Sequence, residues 1–214
     1  MFYKFSISLI VKPVACEMVS EAIPKFFILK ATIFKASLAV ADMSRHHYQD
    51  YNLTLAQHPS ETTERMMLRL LAFALCAHED LTFGKGISDD DEGALYRQNL
   101  TGDYQLWVEL GLPEEKRLRR ASHKTEQLLL VAYGGTAVDK WYSSEQKALS
   151  QLKNLTIVAV SPTDTAELAK LCDRTMQLQC TINEGQVWFG NAAQSVQVQL
   201  QFIQQSNPAL LASE

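Results

Sequence analysis

The residues best suited to chemistry in this chain are three acids, Glu64, Asp91 and Glu109, which lie beside apolar stretches. Glu109 belongs to the run 103–113, in which the residues alternate as they do in a half-buried β-strand. An unpaired carboxylate on a buried face costs several kcal/mol unless a proton, a cation or a metal compensates it. Glu109 therefore needs a partner.

The alternation along 103–113 divides the side chains of this strand between two faces. One face carries Tyr104, Leu106, Val108 and Leu110, and the other carries Gln105, Trp107, Glu109 and Gly111. Glu109 is thus predicted to lie beside the ring of Trp107. Two explanations are open for this acid: an ion pair with a lysine or arginine at the sheet edge, or a functional site.

The second acid lies in a helix predicted at about 58–78, which has proline in its first turn. At 100° per residue, Glu64 falls in the centre of an apolar stripe on this helix. That stripe consists of Met67, Leu68, Leu71 and Leu75. The pattern favours an inward carboxylate. The alternative is that Glu64, only one turn from the helix start, turns into solvent.

The third acid belongs to the acidic cluster 89–92, which follows a short strand at 81–85. Most clusters of this kind are solvated loops. Here, a turn at 99–102 is expected to fold the segment after Asp91 back onto the strand that begins at Tyr104. Antiparallel pairing about that turn would place Asp91 or Glu92 almost opposite Glu109.

A basic helix is predicted to begin at Pro113, directly after the strand that carries Glu109. Its first half carries Lys116, Arg117, Arg119, Arg120, His123 and Lys124, and its second half is expected to continue through 128–131 to Gly134. These charges fit a solvated helix face. Their position beside the acids also makes a phosphate or acidic partner reasonable. Because the helix begins at the strand end where Glu109 lies, at least one of Arg117 and Arg120 should reach the acidic pocket.

The remaining pattern predicts an α/β fold in which a mixed central β-sheet is flanked by helices. Alternation from Leu29 toward Val40 and again at 48–56 predicts an N-terminal β-hairpin, and 155–160 reads as a central strand. Asp164 is expected to cap a helix. Runs at 176–182 and 196–202 predict C-terminal antiparallel strands. The expected organisation is an extension at 1–27, one domain at 28–206 and a tail at 207–214.

Composition limits the functions that this chain can have. Its 214 residues are 47% hydrophobic, with a formal net charge of −4 and a pI near 5.8, so any nucleic acid would have to bind at a local basic patch. The apolar run 5–11 is too short to span a membrane. Four cysteines are spaced without a CxxC pair: Cys16, Cys76, Cys172 and Cys180. This usage predicts a reduced, cytoplasmic protein that is not inserted in a membrane.

Seven stretches of the sequence form a distinctive set: 29–33 (LKATI), 58–62 (HPSET), 64–66 (ERM), 83–86 (FGKG), 90–92 (DDE), 106–113 (LWVELGLP) and 173–176 (DRTM). Together they resemble the YaeQ family, and the predicted order αβββαβ resembles the core of the PD-(D/E)XK nuclease superfamily. The resemblance covers about 29–206. It implies a variant of the restriction-endonuclease-like core, and a site that holds Mg²⁺, with Mn²⁺ as a substitute.

The resemblance also assigns roles to individual residues. Glu64 matches the acid of the first helix, Asp91 the acid that opens the hairpin, and Glu109 the acid of the ExK motif, so the three would converge on one divalent ion. Gly111 stands where the motif has its lysine. Arg117, Arg120 or Lys85 could supply the missing cation from neighbouring elements. Gly93 and Tyr96 also depart from the family's usual proline and tryptophan.

Two functions follow from this resemblance. One is a Mg²⁺-dependent nuclease or phosphodiesterase, which the three acids favour. The other is a non-catalytic, nuclease-like binding protein that acts in nucleic-acid or transcription-linked processes, which the missing lysine and the acidic pI favour. In either case, nucleic acid would bind through the basic helix.

Overall fold

The computed structural model describes residues 31–85 and 92–206, which form four helices and two β-sheets. The helices are α1 (Thr63–Leu75), α2 (Glu115–Lys124), α3 (Thr136–Leu149) and α4 (Pro162–Lys170). The strands are β1 (Thr32–Asp42), β2 (His47–Gln57), β3 (Thr82–Phe83), β4 (Leu95–Gln98), β5 (Tyr104–Leu110), β6 (Thr125–Tyr133), β7 (Leu155–Val160), β8 (Thr175–Asn183), β9 (Gln186–Gly190), β10 (Ser195–Val198) and β11 (Leu200–Gln204).

The first sheet, sheet A, has the strand order β10-β9-β8-β1-β2. Strands β1 and β2 form the predicted hairpin, with Thr32 opposite Gln57 and Asp42 opposite His47. Strand β8 runs parallel to β1, whereas the other neighbours in sheet A are antiparallel. The sheet is therefore mixed.

The second sheet, sheet B, has the order β11-β7-β6-β5-β4-β3. Its central strands β5, β6 and β7 are parallel, and α2 and α3 connect them along the chain. The predicted mixed α/β fold is confirmed. The expectation of one central sheet is wrong, because the strands are divided between two mixed sheets. The predicted strand at 196–202 divides at Gln199 into β10, which joins sheet A, and β11, which joins sheet B.

Helix α1 is the main structural link between the two sheets. Every residue from Met66 to Leu75 is buried, and the helix contacts β5 of sheet B and β8 of sheet A. A helix that is apolar all round must be covered on all sides. A second, smaller core lies where α2 and α3 cover the other face of sheet B, around Trp107, Leu118 and Leu130.

The prediction that the basic helix continues to Gly134 is wrong. Helix α2 ends at Lys124, and the apolar run 128–132 belongs to β6, in the middle of sheet B. A continuous apolar run can be a buried strand as well as a buried helix, and a parallel strand covered on both faces has no polar alternation. Helix α4 also begins differently from expectation, because Ser161 caps it while Asp164 accepts a hydrogen bond from the Gln199 backbone amide.

None of the helices in the described part of the chain is long and apolar enough to cross a membrane. The predicted extension at 1–27 and the predicted tail at 207–214 lie outside the described residues.

Candidate functional site

The candidate site is built around the carboxylate of Glu109, which lies near the end of β5 and is only 3% exposed. Its Oε1 accepts two hydrogen bonds, one from Trp107 Nε1 at 2.8 Å and one from Arg117 Nε at 3.0 Å. The predicted position of Glu109 beside Trp107 is thus confirmed. Of the two explanations that the sequence left open, the structure shows the ion pair with an arginine.

Arg117 joins three segments of the chain at this point. From the first half of α2 it reaches Glu109 on β5, and its Nη2 also donates to the backbone carbonyl of Glu92 at 3.1 Å. The prediction that one of two arginines reaches the acid is therefore confirmed for Arg117. Arg120, by contrast, lies on the exposed face of the same helix.

Lys85 lies two residues after β3, where it contacts Glu92. Its exposed ammonium is 2.8 Å from Glu92 Oε1, and its backbone amide donates to Glu92 Oε2 at 3.2 Å. Glu92 therefore connects the segment after β3 with the residues before β4. The backbone carbonyl of Glu92 also accepts from Arg117. Lys85 and Arg117 therefore both contact Glu92.

The expectation that Glu64 points along the buried face of its helix is wrong, because its side chain is exposed. Glu64 lies in the first turn of α1, and complete burial of the helix begins only at Met66. The buried acid of this region is Glu61, which is 7% exposed and precedes the helix.

Glu61 was missed by the sequence reasoning, although Arg65 and Arg69 follow it at helical spacing. Its Oε2 accepts from Arg69 Nη2 at 2.7 Å, and both side chains are almost fully buried. Burial raises the pKa of the Glu61 carboxyl, and the charge of Arg69 opposes that change only in part. Arg65 lies 3.7 Å from Glu61 and donates to the backbone carbonyl of Leu110, so this cluster reaches the strand of Glu109.

The third predicted acid, Asp91, lies outside the described residues. Within 31–85 and 92–206, no three histidine, cysteine, aspartate or glutamate side chains are grouped closely enough to hold a metal ion. Oε1 of Glu109 already accepts from two donors, and Glu64 is exposed. The described residues alone therefore do not fit the Mg²⁺ site that the resemblance implies.

The backbone conformation at position 111 explains why a glycine, and not a lysine, stands two residues after Glu109. Its φ is +94°, in the region that side chains other than glycine rarely adopt. A lysine in that conformation would strain the backbone where β5 ends. The cation beside Glu109 accordingly comes from Arg117, on the next helix.

The prediction that Tyr104 shares a face with Leu106 is also wrong. Tyr96 lies opposite Trp107 and Arg97 opposite Leu106, but the next pair is Gln98 with Tyr104, so Gln105 is an extra residue in β5. Such a bulge reverses the alternation on one side of it. It brings the Tyr104 ring to Trp107, with ring centroids 5.0 Å apart, and to Tyr96, at 5.5 Å.

Helix α2 presents positive charge on its outer side. Lys116, Arg120 and Lys124 are all exposed and are spaced four residues apart, which is about 6 Å along a helix. We call these three residues the basic stripe. Arg119, on the same helix, is paired with Glu115 one turn earlier. The ammonium of Lys124 lies 5.8 Å from the centre of the Trp107 ring, so the stripe ends beside the aromatic residues of β5.

The comparisons with known proteins all identify the same family. The sequence profile described as "YaeQ protein" matches residues 27–200. "Uncharacterized protein YaeQ" of Salmonella typhi is 42% identical over 177 residues, which are 83% of this chain and 98% of that protein. The protein of the same name from Escherichia coli (strain K12) is 41% identical over 177 residues, with the same coverage of both chains.

Solved structures show the same relationship. The crystal structure of YaeQ protein from Xanthomonas axonopodis pv. citri superimposes with a TM-score of 0.79 and 40% identity, covering 81% of this chain and 98% of that one. The YaeQ protein from Pseudomonas syringae gives a TM-score of 0.78 and 38% identity, covering 82% of this chain and 97% of that one. On sequence and on structure alike, this chain belongs to the YaeQ family.

Proposed function

We propose that this chain binds nucleic acid along the exposed side of α2 and does not hydrolyse it. The observation that carries the proposal is that the cationic side chains of this helix lie on two different sides of it. Arg117 turns inward and neutralises Glu109, whereas Lys116, Arg120 and Lys124 remain exposed as the basic stripe. A buried acid that already has a cation does not need a metal to compensate its charge.

The basic stripe suits a phosphate backbone for two reasons. Its charges follow one another along one side of a helix, so each can face a different phosphate group. The formal net charge of the whole chain is −4, so attraction of a polyanion has to come from a local surface such as this one. Affinity should therefore fall as salt rises, with a modest log–log slope set by the small number of phosphate contacts.

Fluorescence polarisation with a labelled oligonucleotide tests the proposal. The variant Lys116→Ala/Arg120→Ala should bind more weakly, and its plot of log affinity against log salt should be shallower by about 0.7–0.9 for each lost phosphate contact. The matched control is Lys140→Ala/Lys147→Ala, which removes two exposed charges from neighbouring α3. Equal weakening by both pairs would show only a nonspecific charge effect and would contradict the proposal.

A second candidate is a Mg²⁺-dependent phosphodiesterase of the PD-(D/E)XK-like type. The specific observation in its favour is that an acid and a cation, Glu109 and Arg117, lie together where the resemblance expects such a pair. In that case, Asp91 and Glu109 would be the metal ligands, and Glu64 would have to move to join them. Arg120 and Lys85 would then lie at the edges of the site.

Incubation of a labelled strand with Mg²⁺ or Mn²⁺ separates the two candidates. The first predicts retained binding without shorter products. Products that form with the wild type and disappear with Glu109→Gln would establish the second.

A further inference from the structure

Two tyrosine rings lie beside the basic stripe, and the bulge at Gln105 brings them there. Tyr96 on β4 and Tyr104 on β5 are both partly exposed, and their rings meet edge to face at an interplanar angle of 82°. Without the extra residue, strand alternation would turn Tyr104 toward the opposite face of sheet B, with Leu106. The bulge therefore creates an aromatic surface that the sequence pattern alone does not show.

Trp107 lies against the Tyr104 ring and fixes its position. It is 1% exposed, contacts Tyr104 edge to face and is fixed by its hydrogen bond to Glu109. A β-carbon at Gly93 would lie only 2.7 Å from Trp107 Nε1, so the indole is held closely against the backbone of the hairpin. A platform with this backing loses little side-chain freedom when a flat ligand binds.

The aromatic surface is continuous with the basic stripe. Thr125, the residue after Lys124, pairs with Tyr104 across β5 and β6 and donates from Oγ1 to the Tyr104 carbonyl at 3.2 Å. Lys124 itself lies over Trp107. A chain of phosphates along the stripe would thus arrive near Tyr104, whose ring meets that of Tyr96.

We infer that Tyr96 and Tyr104 form a stacking platform for the bases of single-stranded nucleic acid, whose phosphates lie along Lys116, Arg120 and Lys124. This inference rests on the proposed nucleic-acid binding and specifies its substrate. Aromatic rings beside a positively charged track are the usual means of binding single strands, because every base has a face that can stack. The bases of a duplex are stacked on each other and cannot reach the rings.

Three labelled probes test the platform by fluorescence polarisation: an oligothymidylate of about twelve nucleotides, an abasic strand of the same length and a duplex. The wild type should prefer the oligothymidylate over the abasic strand by roughly tenfold or more, since each stacked base adds substantial affinity. Tyr96→Leu/Tyr104→Leu should remove that preference and leave affinity for the abasic strand unchanged. Tyr96→Phe/Tyr104→Phe should retain it, because the rings remain.

Tyr48→Leu is the matched control, since Tyr48 is a 63% exposed tyrosine on sheet A. Photocrosslinking of a strand that contains iododeoxyuridine to the wild type gives a second measurement that needs no variant. The crosslinked peptides should contain Tyr96 or Tyr104, and crosslinks confined to other peptides would overturn the inference.

The two proposals can fail separately. Equal wild-type affinity for the oligothymidylate and the abasic strand, or a preference for the duplex, would overturn the platform and leave binding along α2 intact. Absence of binding to all three probes would overturn both.

Discussion

Arg117 Nε lies 3.0 Å from Oε1 of Glu109, and the two side chains are 21% and 4% exposed. The carboxylate is therefore far less accessible to water than the guanidinium that neutralises it. A second donor, Trp107 Nε1, reaches the same oxygen. Loss of the ion pair should therefore cost more at the buried acid than at the partly exposed arginine, because a buried charge without a partner is strongly unfavourable.

Replacing Arg117 with methionine should lower the free energy of unfolding by about 3 kcal/mol, because Glu109 would stay buried without its cation. Urea-induced unfolding measures the change. Adding Glu109→Gln to this variant should recover part of the loss, since an amide carries no charge to compensate.

The comparison for this prediction is Arg119→Met, which breaks the exposed pair with Glu115 on the same helix. Pairs of that kind contribute about 0.3–0.5 kcal/mol. A loss at Arg117 no larger than the loss at Arg119 would show that the buried acid does not depend on the arginine.

The buried acid Glu61 should give the protein a distinctive pH dependence. Its folded-state pKa is raised above the ordinary value of 4.5 by burial, so ionisation costs stability, and this cost appears as pH rises through the folded pKa. Wild type and Glu61→Gln should therefore be similar in stability at about pH 4, and the variant should become more stable than the wild type toward neutral pH. Thermal melts across this range check the sign; a variant that loses ground as pH rises would contradict it.

The buried cysteines should be chemically inert in the folded protein. Burial raises the pKa of Cys76 and of Cys180 to about 12, so almost no thiolate forms near neutral pH. Iodoacetamide followed by peptide mass spectrometry should show partly exposed Cys172 alkylated before Cys76 and Cys180, which should be modified only after unfolding. Alkylation of all three at the same rate in the native protein would refute this core assignment.

Sequence patterns predicted the two hairpins and the contact of Arg117 with Glu109, because residues close together in the chain determine them. Alternation gave the β1–β2 hairpin, and the turn at 99–102 gave the β4–β5 hairpin, which the structure confirms. The position of Arg117 next to Glu109 also followed from chain distance alone, because α2 begins a few residues after β5 ends. In these cases neighbouring residues decide the geometry.

Features that depend on distant packing were not predictable in the same way. Residues 128–132 of β6 are all apolar because strands flank β6 on both sides and both faces of sheet B are covered there. The bulge at Gln105 has no marker in the sequence, yet it moves Tyr104 to the face of Trp107. Glu61 lies outside the helix in sequence and is buried only because Arg69 meets it there.

The choice between the two proposed functions depends on which cation compensates Glu109, and the melting temperature in millimolar Mn²⁺ tests this most directly. Binding of a metal to the folded state alone would add roughly 2.7 kcal/mol at a hundredfold excess over Kd, a shift of several degrees. If Arg117 is the cation that serves Glu109, the wild-type melting temperature should not change with Mn²⁺. A rise of several degrees in the wild type that is absent in Glu109→Gln would contradict this account and favour the metal-dependent enzyme.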